Sequence, residues 1–154
     1  MIRGIHHTAI STGNFDRLVA FYCDLLGAVA VAPPGDISGE AFDAVVDLRQ
    51  AKARVVMLRL GNAFIELFEY ANPAGKIGDP NRPVSDHGLT HICFDVTDLS
   101  AEYERLKAAG VHFHCAPQPM MGGRSWTTYA RDPDGNVIEF QEVLNPKSRF
   151  ALTS

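Results

Sequence analysis

Residues 4–13 read GIHHTAISTG and residues 88–97 read GLTHICFDVT, so one segment occurs twice in this 154-residue chain. In this match His7 takes the same position as His91. Each copy runs into a stretch with helical spacing that stops at a glycine, Gly27 in the first half and Gly110 in the second. Internal repetition of this kind indicates two diverged copies of one structural module.

The two halves also end with matching segments. Residues 65–69 read IELFE and residues 138–142 read IEFQE, which gives Glu66 and Glu139 equivalent positions. Because a repeated module leaves an apolar face unburied until it packs against its neighbour, we expect the halves to meet. Their packing would bring two imidazoles and two carboxylates together, and such a set predicts a divalent cation site.

Composition limits the classes of partner. Hydrophobic residues make up 46% of the chain, charged residues 21%, and the net charge is −4, which is typical of a soluble globular protein. A negative chain lacks the basic face that nucleic acid or an anionic membrane attracts. Three cysteines at unrelated spacings favour reduced thiols, and no apolar run reaches the length of a membrane span. We therefore expect a cytoplasmic protein without a leader peptide.

Hydrophobic periodicity predicts strand, helix and three strands in each half. The predicted helices begin after the N-caps Asn14 and Asp98. The other predicted segments are strands at 4–11, 28–32, 54–60, 63–70, 88–96, 111–115, 125–130 and 137–143, an insertion at 33–52 with a helix at 41–48, and a connector at 71–86.

Strand alternation predicts which way the candidate ligands face. Glu66 shares a face with Phe64 and Phe68, and Glu139 lies opposite Ile138 and Phe140. The same alternation predicts that His6 points away from His7. The remaining repeat-related carboxylates, Glu69 and Glu142, are expected to be solvated because they lie nearer the strand ends.

These residues resemble the vicinal oxygen chelate superfamily, which includes glyoxalase I, methylmalonyl-CoA epimerase, extradiol dioxygenases, and fosfomycin and bleomycin resistance proteins. The resemblance is carried by the stretches IHHTAIST, FYCDLLG, GNAFIELFE, GLTHICFDV, LKAAGV and RDPDGNVIEF, spread from residue 4 to residue 143. It implies an α+β fold in which two tandem βαβββ modules form a cupped half-barrel around a metal. The whole chain, 1–154, is then one domain, with modules at about 4–70 and 87–144, a linker at 71–86 and a tail at 145–154.

The resemblance also implies the ligands His7, Glu66, His91 and Glu139. This His/Glu/His/Glu set looks most like glyoxalase I and the epimerase. It implies a metal-dependent lyase or isomerase that abstracts a proton next to a carbonyl of a small chelated substrate. Glu139, or alternatively Glu66, would be the catalytic base, and Glu139 is preferred by resemblance. Mixed nitrogen and oxygen ligation fits Zn, Ni, Co, Mn or Fe.

Two other functions stay open at this point: an Fe(II)-dependent ring-cleaving dioxygenase, and a non-catalytic small-molecule binding or resistance protein. Many relatives are dimers, so the resemblance also implies a homodimer. Neither the substrate nor a glutathione or coenzyme A site can be read from the residues. Candidates for lining a substrate pocket are Met57, Phe64, Phe68, Arg124, Trp126 and Tyr129.

Overall fold

The computed structural model describes residues 1–152, and its last two residues, which belong to the predicted tail, lie outside that range. The described chain forms two compact units, the first from Met1 to Gly78 and the second from Asp79 onward. This division falls inside the predicted linker. None of the helices within residues 1–152 combines the length and apolar character that crossing a bilayer requires.

The first unit contains a five-stranded sheet. Its strands are β1 (His7–Ser11), β2 (Val29–Ala30), β3 (Gly35–Ser38), β4 (Lys52–Leu60) and β5 (Ala63–Asn72), and its helices are α1 (Phe15–Ala20), which continues as a π-helical segment (Phe21–Leu25), and α2 (Glu40–Val46). The strand order is β1-β5-β4-β2, with β3 also paired to β4. Strands β1 and β5 run parallel, and the other neighbours are antiparallel.

The second unit repeats this plan. Its elements are β6 (Ile92–Asp95), α3 (Leu99–Ala108), β7 (His112–Phe113), β8 (Gln118–Met120), β9 (Ser125–Arg131) and β10 (Val137–Val143). The strand order is β6-β10-β9-β7, with β8 also paired to β9, and β6 runs parallel to β10. Matching topology in both sheets confirms the α+β fold of two repeated βαβββ-like modules.

Each sheet contains one strand that the sequence patterns do not predict. Strand β3 lies in the predicted insertion, and β8 covers part of the loop expected before residue 125. Both are short edge strands whose sequences, GDIS and QPM, show no apolar alternation. Their hydrogen bonds to the long strands β4 and β9 hold them in place.

Apolar side chains of the helices pack on one face of each sheet. Leu18, Phe21 and Tyr22 are buried in the first unit, together with Ile65 and Leu67 of β5. In the second unit the buried set is Leu99, Leu106, Ile138 and Phe140. Because successive strand residues alternate, Glu66 and Glu139 lie on the opposite faces of their sheets from these cores.

The two helices end at the predicted glycines, with one difference. In α3 the amides of Gly110 and Val111 bond the carbonyls of Lys107 and Leu106, a Schellman motif closed by the positive φ of Gly110. In the first unit the amides of Gly27 and Ala28 bond the carbonyls of Cys23 and Tyr22, so each bond spans one residue more. The π-helical segment accounts for this longer spacing, and it differs from the uniform helix predicted over 15–26.

Candidate functional site

In the first unit His7 faces Glu66. His7 is the first residue of β1, and Glu66 lies on the neighbouring strand β5, across from Ala9. The distance from His7 Nε2 to Glu66 Oε2 is 3.3 Å. Within residues 1–152, no side chain other than His7 forms a hydrogen bond or ion pair with the Glu66 carboxylate.

The second unit repeats the pair. His91 lies one residue before β6, and Glu139 lies on β10, across from Cys93. The distance from His91 Nε2 to Glu139 Oε2 is 2.9 Å. The side chains are 27% and 14% exposed in this pair, against 38% and 21% for His7 and Glu66, so the second pair is the more enclosed.

The residue before each histidine contacts the far side of its imidazole ring. His6 Nδ1 lies 2.9 Å from His7 Nδ1, and Thr90 Oγ1 lies 2.9 Å from His91 Nδ1. His6 and Thr90 occupy the same position in the repeat. A partner on Nδ1 orients each ring so that Nε2 faces the carboxylate.

The prediction that His6 points away from the site is therefore wrong. Strand alternation does not apply to His6, because β1 begins at His7. The His6 ring stacks on Phe64, with 5.0 Å between the ring centroids. Phe64 lies on the same face of β5 as Glu66, so His6 belongs to the surroundings of the first pair.

Glu139 has a hydroxyl donor that Glu66 lacks. The Thr127 hydroxyl donates to Glu139 Oε1 at 2.6 Å. Cys93 lies across from Glu139, and desolvation of its thiol together with the negative charge of Glu139 raises the pKa of this thiol to about 12. Burial and the same charge raise the pKa of Tyr129, whose hydroxyl lies 3.4 Å from His91 Nδ1.

Strand register shows which candidate pocket residues share a sheet face with Glu66 or Glu139. Met57 pairs with Glu66, and Tyr129 pairs with Glu139, so both lie on the candidate-ligand face of their own unit. Phe64 and Phe68 share the face of Glu66. Phe68 packs in a cluster under α2 with Phe42, Ala51 and Ala53, so the insertion covers one end of that face.

The prediction that Trp126 lines the substrate pocket needs correction, because Trp126 does not share a sheet face with Glu139. It pairs with Glu142 rather than with Glu139, and it therefore lies on the face that bears α3. The positions of Trp126 and Tyr129, three residues apart on one unbroken strand, already exclude a shared face. Arg124 lies in the exposed loop before β9, where its Nε donates to the Met121 carbonyl at 2.8 Å.

The prediction that Glu69 and Glu142 are solvated is also wrong. Glu69 Oε1 accepts from the Phe15 amide at 3.3 Å, at the start of α1. Glu142 accepts from the Asp98 and Leu99 amides at 3.2 and 3.0 Å, at the start of α3. Both carboxylates therefore cap a helix of their own unit from the strand beside it.

No cluster of three or more His, Cys, Asp or Glu side chains suited to holding an ion occurs within residues 1–152. Each unit instead presents a His–Glu pair. The convergence of all four residues on one ion stays a prediction.

The family follows from comparison with known proteins. Residues 4–140 match the model of the Glyoxalase/Bleomycin resistance protein/Dioxygenase superfamily, and the chain belongs to this superfamily. It is similar to a probable lactoylglutathione lyase of Synechocystis sp., with 26% identity over 92% of this chain and 96% of that protein. It is also similar to an ethylmalonyl-CoA/methylmalonyl-CoA epimerase of Cereibacter sphaeroides, with 26% identity over 93% of this chain and 100% of that protein.

A solved structure has the same fold. The crystal structure of a glyoxalase family protein from Bacillus cereus superposes with a TM-score of 0.82, at 20% sequence identity, and covers 94% of this chain and 97% of that one. At this level of identity the likeness concerns the fold. The relatives by sequence support a lyase or epimerase of the glyoxalase superfamily.

Proposed function

We propose that the chain is a metal-dependent lyase or isomerase, similar in reaction to glyoxalase I or to an epimerase. It removes a proton from the carbon next to a carbonyl group of a small oxygenated substrate. The observation that carries this proposal is the His–Glu pair of each unit, in which a histidine Nε2 faces a glutamate Oε2 at 3.3 and 2.9 Å. The names of the two relatives by sequence, a lyase and an epimerase, support this class of reaction.

The pairs fit a divalent ion. Two ligand atoms at about 2.1 Å from an octahedral ion, and at right angles to each other, lie about 3 Å apart. The nitrogen-to-oxygen distances in both pairs are close to this separation. His7, Glu66, His91 and Glu139 would hold one ion together, and their nitrogen and oxygen donors suit Zn, Ni, Co, Mn or Fe. Such an ion supplies Lewis acidity toward neighbouring substrate oxygens.

The protein's own part in the reaction is proton transfer. Glu139 is the first candidate for the base and Glu66 the second, since each carboxylate lies beside a histidine on the sheet face opposite the helix. The base takes the proton from the carbon next to the carbonyl and returns it to the adjacent carbon or to the opposite face of the same carbon. The homodimer and the cytoplasmic location remain predictions.

Deuterium exchange tests the reaction. Metal-loaded protein is incubated in deuterated buffer with 2-oxo acids, thioesters and hemithioacetals, and loss of the α-proton signal is followed by NMR. We expect exchange with one of these classes in the wild type and a loss of about 10²–10⁴-fold in Glu139→Gln, the usual contribution of a general base. Glu104→Gln, on the exposed side of α3, is the matched control.

One result would change the assignment of the base, and another would contradict the proposal. Exchange that survives in Glu139→Gln but disappears in Glu66→Gln moves the base to the first unit. Wild-type protein that retains no divalent metal after gentle purification and reconstitution contradicts the metal-dependent reaction altogether.

A further inference from the structure

The two His–Glu pairs differ in how their carboxylates are held. Glu139 Oε1 accepts from the Thr127 hydroxyl at 2.6 Å, within the range of a strong O–H···O⁻ bond. Thr127 Oγ1 also lies 3.2 Å from the Phe140 carbonyl. A hydroxyl has one proton to donate, and the shorter contact to a charged acceptor takes it. One oxygen of Glu139 is therefore bound to the protein, while the other, Oε2, faces His91.

The repeat shows what the first unit has in the same place. Thr127 pairs with Gln141, two residues after Glu139, and Val55 pairs with Phe68, two residues after Glu66. Val55 is thus the counterpart of Thr127, and it has no donor. Glu66 is held at His7 alone among the described side chains. The hydrogen bond from Thr127 distinguishes Glu139 from Glu66, and so does Cys93, which lies across from Glu139 where Ala9 lies across from Glu66.

We propose that Thr127 is a positioning residue that holds Glu139 with Oε1 bound and Oε2 presented beside His91. The side chain of a free glutamate samples several rotamers, and ordering it costs free energy when it binds an ion. Thr127 orders Glu139 beforehand, so the ion meets a ligand already in place. This inference rests on the proposed function, because it assigns Oε2 as the atom that Glu139 offers to the metal.

If Thr127 orders Glu139 before an ion binds, variants of Thr127 should bind metal with altered affinity. Thr127→Val keeps the shape and removes the donor, and Thr127→Ser keeps the donor. Affinity for Zn²⁺ and Co²⁺ is measured by competition with a chromophoric chelator, together with the absorption spectrum of bound Co²⁺. We expect Thr127→Val to weaken affinity by about 10–100-fold and to alter the Co²⁺ spectrum, and Thr127→Ser to restore both.

Thr128→Val is the matched control. Thr128 is the next residue on β9, but its hydroxyl donates to the Cys115 carbonyl at 2.6 Å on the other face of the sheet. Its loss removes a buried hydrogen bond of the same strand without touching Glu139. If Thr127 had only a structural role, both variants would lower stability, and neither would change metal affinity by more than about threefold; that result overturns the proposal.

Crystal structures of the metal-free protein test the positioning directly. In the wild type we expect one Glu139 rotamer with Oε1 at Thr127, and in Thr127→Val a different or divided Glu139 side chain. An unchanged Glu139 in Thr127→Val overturns the positioning role, whether or not metal binds. Wild-type protein that binds no Zn²⁺ or Co²⁺ overturns the proposed function instead, so the two failures are distinguishable.

Discussion

At the scale of single residues, Glu139 changes the acidity of its neighbour Cys93. It lies across from Glu139 in the parallel ladder of β6 and β10. Desolvation of the thiol and the adjacent Glu139 carboxylate both favour the protonated thiol, and together they raise its pKa to about 12. Ala9 occupies the equivalent position in the first unit. The second site therefore contains a thiol that stays protonated at neutral pH.

We expect Cys93 to resist alkylation in the metal-free protein. With a pKa of about 12, the thiolate fraction at pH 8 is about one in ten thousand, and only the thiolate reacts. Iodoacetamide labelling, followed by mass spectrometry of the Cys93 peptide, should be far slower than labelling of a small-molecule thiol. The rate should still be rising with pH at pH 10, because the thiolate forms only as the pH approaches the pKa.

Glu139→Gln is the control for this explanation. Removing the negative charge lowers the pKa of Cys93, so labelling at pH 8 should become faster. Wild-type Cys93 that is labelled as fast as the small thiol at pH 8 would contradict the assigned environment.

At the scale of elements, each main helix begins with two caps of different origin. Asn14 accepts from the Arg17 amide and Asp98 from the Ala101 amide, and both are local caps that the sequence predicts. Glu69 and Glu142 add a second cap from the last long strand of each sheet. Glu69 and Glu142 occupy the same position in the repeat, and each joins the helix of its unit to the sheet.

Glu142→Ala should lower the free energy of unfolding by about 1–2 kcal/mol, since it leaves the two amides at the start of α3 without their carboxylate acceptor. Glu142→Gln should cost less, because the amide oxygen still accepts one bond. Urea unfolding followed by circular dichroism measures both. Glu104→Ala, at an exposed site on the same helix, is the matched control, and equal losses in the Glu104 and Glu142 alanine variants would refute the capping role.

At the scale of the whole molecule, the question is how many ions the two pairs bind. If all four side chains share one ion, metal analysis should find one ion per chain, and His7→Ala and His91→Ala should each reduce retention severely. His112→Ala, at an exposed site on β7, is the control. Two ions per chain, or normal retention in His7→Ala, would show that each unit binds metal on its own.

The repeated fold was predictable because it depends on patterns within each half. Apolar alternation, helical spacing and glycine stops are local signals, and they correctly predicted the main strands and the helices α1 and α3. The repeat predicted equivalent positions for the two histidines and for the two glutamates, whereas the contact of each histidine with the glutamate of its own unit came from the structure. The edge strands β3 and β8 were missed, since their short polar sequences become strands only by pairing with β4 and β9.

The superfamily, the doubled module and the four repeat-related His and Glu candidates were therefore readable from the sequence, because these rest on residue order and spacing. The three-dimensional structure was needed to find the contacts of Thr127, Cys93, His6, Glu69 and Glu142. Their partners lie on other strands or beyond a strand end, so side-chain direction and distance depend on register. Sequence periodicity carries no such information.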